Sequence, residues 1–137
     1  MGISKESEQK IIDILKQEIP NLYAVYIFGS QIDGSANSSS DIDIAFLNDS
    51  KIDNLKRWEV ANKIAQELLI DVDLVDLKEA NTVFKFQIVS TAKRVYGKGF
   101  KVDNFEMLAY SFYLRFQEDR KGIIENIIKT KTVLGDN

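Results

Sequence analysis

Val25-Tyr26-Ile27-Phe28-Gly29-Ser30, the connection Gln31 to Ser40, and then Asp41-Ile42-Asp43-Ile44-Ala45-Phe46-Leu47 form the stretch on which the reading of this sequence turns. The segment Leu22 to Phe28 is β-branched and aromatic on both parities, which predicts a central strand buried on both faces. Gly29 to Ser40 is polar, holds Gly34 and a serine run, and reads as a connection. Asp41 to Leu47 alternates with period two: Ile42, Ile44 and Phe46 share one face, and Asp41, Asp43 and Ala45 share the other. Asp41 and Asp43 therefore leave the same side of one strand, with Cα atoms about 6.5 Å apart. Carboxylates so placed converge on shared divalent cations. Two-metal sites hold their ions roughly 3.5–4 Å apart and clamp the attacking and leaving oxygens of an in-line displacement. Two such charges repel each other, and bound cations relieve the repulsion.

Gly29 and Ser30 close the preceding strand. Glycine lets the backbone turn sharply and approach a phosphate, and Ser30 adds a hydroxyl and a backbone N–H, together an anion site for a polyphosphate tail. A third carboxylate would complete the set. The segment Ile70 to Leu77 reads as another strand and offers Asp71, Asp73 and Asp76. Asp73, between Val72 and Leu74 in mid-strand, is the choice, because an ionised side chain there is costly without a metal or partner. It could ligate a metal or take a proton from an acceptor hydroxyl. Asp71 shares its face but sits at the strand entry. Asp76 points the other way, and both of these read as exposed strand-end charges. Asp-x-Asp alone is common on solvated strands; its combination with Gly-Ser and a further Asp strand favours a metal site.

Composition narrows the chemistry. The chain of 137 residues has no Cys and no His. Disulfides, thiolate catalysis, Ser–His–Asp triads and His or Cys metal sites are therefore excluded. Catalysis must use carboxylates, hydroxyls, Lys, Arg or a bound metal. Net charge is −3, so nucleic acid is not an expected partner. An acidic chain that handles a polyphosphate needs a divalent cation to bridge the two. No apolar run is long enough to cross a membrane. The charged start Met1-Gly-Ile-Ser-Lys-Glu-Ser-Glu lacks the apolar core of a signal peptide, and Glu6 argues against myristoylation at Gly2. The expectation is a cytoplasmic protein with one domain over residues 1–137.

Outward from the motif, Ser4 to Ile19 reads as an amphipathic helix stopped by Pro20, with Ile11, Ile12, Leu15 and Ile19 on one face. Asp53 caps a second helix whose expected stripe is Leu55, Trp58, Ala61, Ala65 and Leu68, so that Trp58 reads as core rather than as a stacking platform. A short helix is expected over Thr82 to Thr91 with Val83, Phe84 and Ile88 inward. An edge strand Lys93 to Tyr96 and a Gly97-Lys98-Gly99 turn follow. The last helix is expected over about 103–131, with Leu108, Phe112, Phe116, Ile123 and Ile127 on its apolar stripe. Its aromatic residues Phe105, Phe112, Tyr113 and Phe116 read as core, with part of the stripe available as a partner surface. Arg57, Lys93 and Arg94 read as solvated charges that could otherwise touch phosphates. The order predicts an α/β (α+β) sandwich, a mixed sheet packed with helices, with its core over about 20–97.

The pattern Gly-Ser, ten residues, Asp-x-Asp, and then a Val-Asp-Leu-Val strand resembles the minimal nucleotidyltransferases (MNT) of the DNA-polymerase-β-like superfamily, over roughly Val25 to Tyr96. The resemblance implies Gly29 and Ser30 as nucleotide binders, Asp41 and Asp43 as ligands of two Mg²⁺ ions, and Asp73 as the third carboxylate. The last helix, with Tyr110, Tyr113, Arg115 and Arg120, is similar to the tail of MNT antitoxins. These are encoded beside HEPN ribonuclease toxins and silence them by adenylylating a toxin tyrosine. The resemblance thus implies ATP as substrate, a HEPN toxin as partner in a hetero-oligomer, and AMP transfer as the activity. Ala92 departs from it, because many members carry Gly there. Two alternatives stand beside it: nucleotidylation of a small molecule such as an aminoglycoside, for which a drug-binding helical domain is lacking, and a non-catalytic antitoxin that uses the fold as a scaffold.

Overall fold

The computed structural model describes residues 3–28 and 41–135, with side chains described as far as Gly122. Helix α1 (Lys5–Glu18) begins at Ser4, whose side chain accepts the Ser7 N–H, and buries Ile11, Ile12 and Leu15. The cap satisfies one of the donors that every helix start leaves open. Strand β1 (Leu22–Phe28) follows, then β2 (Ile42–Asn48), α2 (Asn54–Leu68), β3 (Val72–Asp76), α3 (Thr82–Thr91), β4 (Lys93–Tyr96) and α4 (Phe100–Gly135). The bounds of β1, α3 and β4 are those the sequence predicts. The last helix is longer at both ends than the expected 103–131.

The sheet has the order β3-β2-β1-β4. β1 pairs antiparallel with both β2 and β4, and β2 pairs parallel with β3. A parallel neighbour requires a crossover, which α2 supplies. β1 is central, and Ala24 to Ile27 are all buried. Its two parities feed two cores. Val25 and Ile27 join Ile42, Ile44 and Phe46 of β2 and Leu74 of β3 against Ile11 and Leu15 of α1 and Val60 and Ile64 of α2. Ala24 and Tyr26 join Ala45 and Leu47 against Ile88 of α3 and Val102 of α4. A mixed sheet covered on both faces is the expected fold class. Truncating one of these side chains, for instance Ile44→Ala, is worth about 2–5 kcal/mol of stability.

Three expectations about faces need correction. Leu55 and Trp58 are exposed, and the buried residues of α2 are Val60 and Ile64. At 3.6 residues per turn Trp58 lies about 200° around the helix from Val60, on the outer side. On α4 the buried side chains are Val102 and Ala109, so Phe112 (51 % exposed) and Phe116 lie outside the core, and Leu108 is partly open as well. Phe105 and Tyr113 keep partial burial. Ile123 and Ile127 lie outside the described side chains. On α3, Ile88 is buried and Phe84 partly so, whereas Val83 faces outward.

Polar contacts fix α4 to the sheet. Tyr26 donates its hydroxyl to Glu106 at 2.6 Å, and Arg94 reaches the same carboxylate at 3.0 Å. Burial, and then the Glu106 carboxylate, push the Tyr26 phenol well above its ordinary pKa. Phe86 of α3 stacks on Tyr113 and meets Tyr110 edge-on. Gly97 has φ +118°, and a Cβ there would strike the Tyr23 carbonyl and the Ala24 backbone, so only glycine fits. Ala92 caps α3 with φ −77°, which asks nothing of glycine. Among the described residues no helix is long and apolar enough to cross a membrane.

Candidate active site

The register of the sheet builds the site. Phe28, the last residue of β1, pairs with Asp43 of β2, and Asp43 pairs with Asp73 of β3. Side chains of register neighbours leave the same face. That face is the one on which Ala45 and Leu47 pack towards α3 and α4. Asp41 stands just ahead of β2 with the parity of Asp43. The Ile42 N–H donates to the Asp71 carbonyl at 2.9 Å, which locks β3 against β2 beside these residues.

Asp43 is half-buried, while Asp41 and Asp73 are exposed. The mid-strand position of Asp73 does not bury it; the residue stands exposed, opposite Asp43 in the parallel register. The Asp43 carboxyl is raised from its ordinary pKa, first by burial, then by the charge of Asp73, then by that of Asp41. Among the described residues no Lys or Arg pairs with any of the three. Nor, among the described residues, do they close into a group of three that would hold an ion as they stand. The donor chemistry nevertheless suits a hard divalent cation. All donors are carboxylate oxygens, they carry uncompensated like charge, and the chain contains no His or Cys to prefer a softer metal.

Gly29 and Ser30 lie outside the described residues. β1 nonetheless delivers the chain into Gly29 from Phe28, directly beside Asp43, with the Phe28 ring edge-on to Phe84 at 5.8 Å.

Asp76 corrects a further expectation. It is 8 % exposed rather than a solvated strand end. Lys78 meets it at 2.6 Å and donates to Asn48 at 2.9 Å, and Asn48 donates to the Pro20 carbonyl at 3.0 Å. The turn Leu77–Glu79 folds the Lys78 amine back onto the carboxylate. Lys93 and Arg94 are likewise occupied, by Glu8 and Glu106.

One feature was not read from the sequence. Asn54, Arg57, Trp58, Ala61, Val72, Asp73 and Leu74 line an open cleft of about 410 Å³ along the β3 edge. Arg57 is held there by bonds to the Leu74 carbonyl and the Asn54 side chain, both at 3.1 Å. Trp58 is 63 % exposed. The sequence offers two helical stripes on α2, and only packing against the sheet covers the one through Val60 and Ile64 and turns Trp58 outward.

With this geometry in place, the comparisons are informative. Residues 9–101, which include all four strands and the three carboxylates, match the family described as Polymerase beta, Nucleotidyltransferase. The chain is 41% identical over 122 residues to the protein adenylyltransferase MntA of Shewanella oneidensis, covering 89% of this chain and 88% of that one. Its fold is similar to a crystal structure of a toxin-antitoxin with AMP-PNP, at TM-score 0.79 and 41% identity over 88% of this chain and 98% of that one. It is also similar to a structure of a tri-AMPylated Shewanella oneidensis HEPN toxin in complex with MNT antitoxin, at TM-score 0.75 and 39% identity over 92% of this chain and 99% of that one.

Proposed function

The chain belongs to the polymerase beta nucleotidyltransferase family, and we propose that it is a protein adenylyltransferase, the antitoxin that transfers AMP from ATP to a tyrosine of a HEPN ribonuclease toxin in the cytoplasm. The observation that carries the chemistry is the register Phe28, Asp43, Asp73, which sets carboxylates with no Lys or Arg partner among the described residues beside the entry to Gly29 and Ser30. The relatives carry the acceptor: one is named for protein adenylylation, and another was solved with an AMPylated toxin.

In this reading Gly29 and Ser30 hold the triphosphate tail. Asp41 and Asp43, with Asp73, are the residues that would hold Mg²⁺, two ions by the number of carboxylates. When bound, Mg²⁺ supplies charge neutralisation on the phosphate oxygens. Asp73, exposed and opposite Asp43, is placed to take the proton of the acceptor hydroxyl as its oxygen attacks the α-phosphorus and pyrophosphate leaves. A protein acceptor supplies its own positioning by docking. Exposed apolar residues of α4 suit such a partner, because Met107, Tyr110, Phe112, Leu114 and Phe116 stand open beside charged residues.

The test is to co-express the chain with the protein encoded by the neighbouring gene and to weigh that protein intact. A gain of one or more AMP units, absent with Asp41→Asn, is expected. Binding and silencing without a mass change would replace transfer by a scaffold role. Neither binding nor a mass change would leave only the family assignment.

A further inference from the structure

We infer that the acceptor segment of the toxin docks as an added strand on the open edge of β3, and so seats its tyrosine beside Asp73. This deepens the adenylyl-transfer reading above and rests on it. Among the described residues β3 is the outermost strand on the side of the sheet away from β4. The Ile42 N–H donates to the Asp71 carbonyl, and Asp43 pairs with Asp73 in the parallel register. In such a ladder the backbone groups of Asp71, Asp73 and Val75 turn towards β2, and those of Val72, Leu74 and Asp76 turn outward. The Arg57 guanidinium agrees with that direction, because it reaches the Leu74 carbonyl from α2. An outward row of backbone groups is a template for pairing with another chain.

Side chains of an added strand alternate between the two faces of the sheet, and a residue set against Asp73 leaves the face that Asp73 leaves. That is also the Asp43 face, the one turned towards α3 and α4. A tyrosine there flanks Asp73 on one side as Asp43 does on the other, with neighbouring strands about 4.8 Å apart. Its phenol oxygen bonds to the α-phosphorus, the bond to pyrophosphate breaks, and its proton passes to the Asp73 carboxylate. The residues before and after the tyrosine turn to the opposite face. There the open cleft of about 410 Å³ has Trp58, Ala61, Val72 and Leu74 among its walls. A second cleft, of about 330 Å³, has Val75, Ala80 and Phe84 among its walls, and Val75 shares the Asp73 face two residues further along β3. Two clefts on either side of one edge strand are what the alternate side chains of an added strand fill. Charge narrows the occupant. Asp71 and Asp73 are exposed along this edge, and neither pairs with a Lys or Arg among the described residues. A segment that carries Lys or Arg near its tyrosine complements them.

The outward amides give the readout. In residue-resolved hydrogen exchange, a purified HEPN-type toxin should slow the Val72 and Leu74 N–H groups of the full chain about tenfold or more. Val72→Pro removes one outward donor and sets a ring in the path of an added strand, while it breaks no bond to β2. It should raise KM for the toxin about tenfold or more with ATP affinity held within about twofold, and Val72→Thr, which restores the N–H, should recover transfer. Thermal melts show whether Val72→Pro folds; if it does not, the exchange result decides alone. Slowed exchange confined to α4, with Val72 and Leu74 unchanged while AMP is transferred, overturns the inference and leaves the adenylyl-transfer reading in place. So does a folded Val72→Pro chain that modifies the toxin as wild type does. A wild-type chain that transfers no AMP removes the adenylyl-transfer reading, and this inference with it.

Discussion

Two ends of the same strand pair treat their carboxylates in opposite ways. At one end of β2–β3, Asp43 and Asp73 are direct neighbours with Asp41 close by, and the Asp43 carboxyl is raised because its burial and its like-charged neighbours go uncompensated. At the other end, Asp76 is more deeply buried, yet the Lys78 amine, itself held by the Asn48 side-chain oxygen, donates to its Oδ2 and neutralises it. The sheet is thus able to provide a counter-charge within a few residues, and at Asp43 it does not. A charge pair that a fold completes is structural. One that it leaves open is a place for a ligand of opposite charge, which in the proposed function is a divalent cation with its polyphosphate.

The largest effect should come from the open end. Asp41→Asn with Asp43→Asn should lower AMP transfer by about a thousandfold or more, while the protein folds and melts no lower than wild type without metal. Transfer assays and thermal melts on the same samples check this; an unfolded double variant would make the open end structural after all. At the closed end the pattern reverses. Lys78→Met strands a buried carboxylate and should cost about 3 kcal/mol of stability, read from denaturant melts, with transfer per folded molecule preserved. If Lys78→Met leaves stability unchanged, the two ends do not differ as described.

pH sharpens the contrast. Because the folded Asp43 pKa is raised above its ordinary 3.8, its contribution to metal-free stability is present while it is protonated and is lost as pH rises through the raised value. Asp43→Asn should therefore gain on wild type as pH climbs from about 4 towards neutrality, and Mg²⁺ with ATP should stabilise wild type preferentially. Glu18 has the opposite sign, its pKa lowered by hydrogen bonds from Lys56 and Lys63. Its contribution is present above the ordinary carboxyl value and is lost as pH falls through the lowered one, so Glu18→Gln should lose ground at neutral pH. Melts across this range with the same slope for both variants would contradict the assignment. The smallest effect lies away from both ends. Leu69 caps α2 at φ 57° with a side chain 91 % exposed. Leu69→Gly should raise stability by about 0.5–1 kcal/mol and leave transfer alone.

Much of this was legible in the sequence, for identifiable reasons. β1 and β2 announce themselves through parity, because a strand buried on both faces has no polar phase and one that ends at a site has Asp41 and Asp43 in phase. α2 was misphased because Leu55, Trp58, Ala61, Ala65 and Leu68 keep helical spacing as well as Val60, Ala61, Ile64 and Leu68 do; only the sheet decides which stripe is covered. The aromatic residues of α4 mislead in the same way, since an unpartnered apolar face and a core face have one composition. Asp73 was chosen for its place in mid-strand. Its position opposite Asp43 depends on the register of a parallel pair joined through α2, and that register has no local signature. Asp76 looked exposed because its partner, Lys78, returns to it only through a turn.

In the proposed function the open carboxylates on β2 and β3 run a cation-dependent AMP transfer to a protein. The direct measurement is the intact mass of a purified HEPN-type toxin after incubation with this chain and ATP, in Mg²⁺ and in EDTA, with wild type and with Asp43→Asn. Added AMP is expected only for wild type in Mg²⁺. Equal modification in EDTA, or by Asp43→Asn, would contradict it.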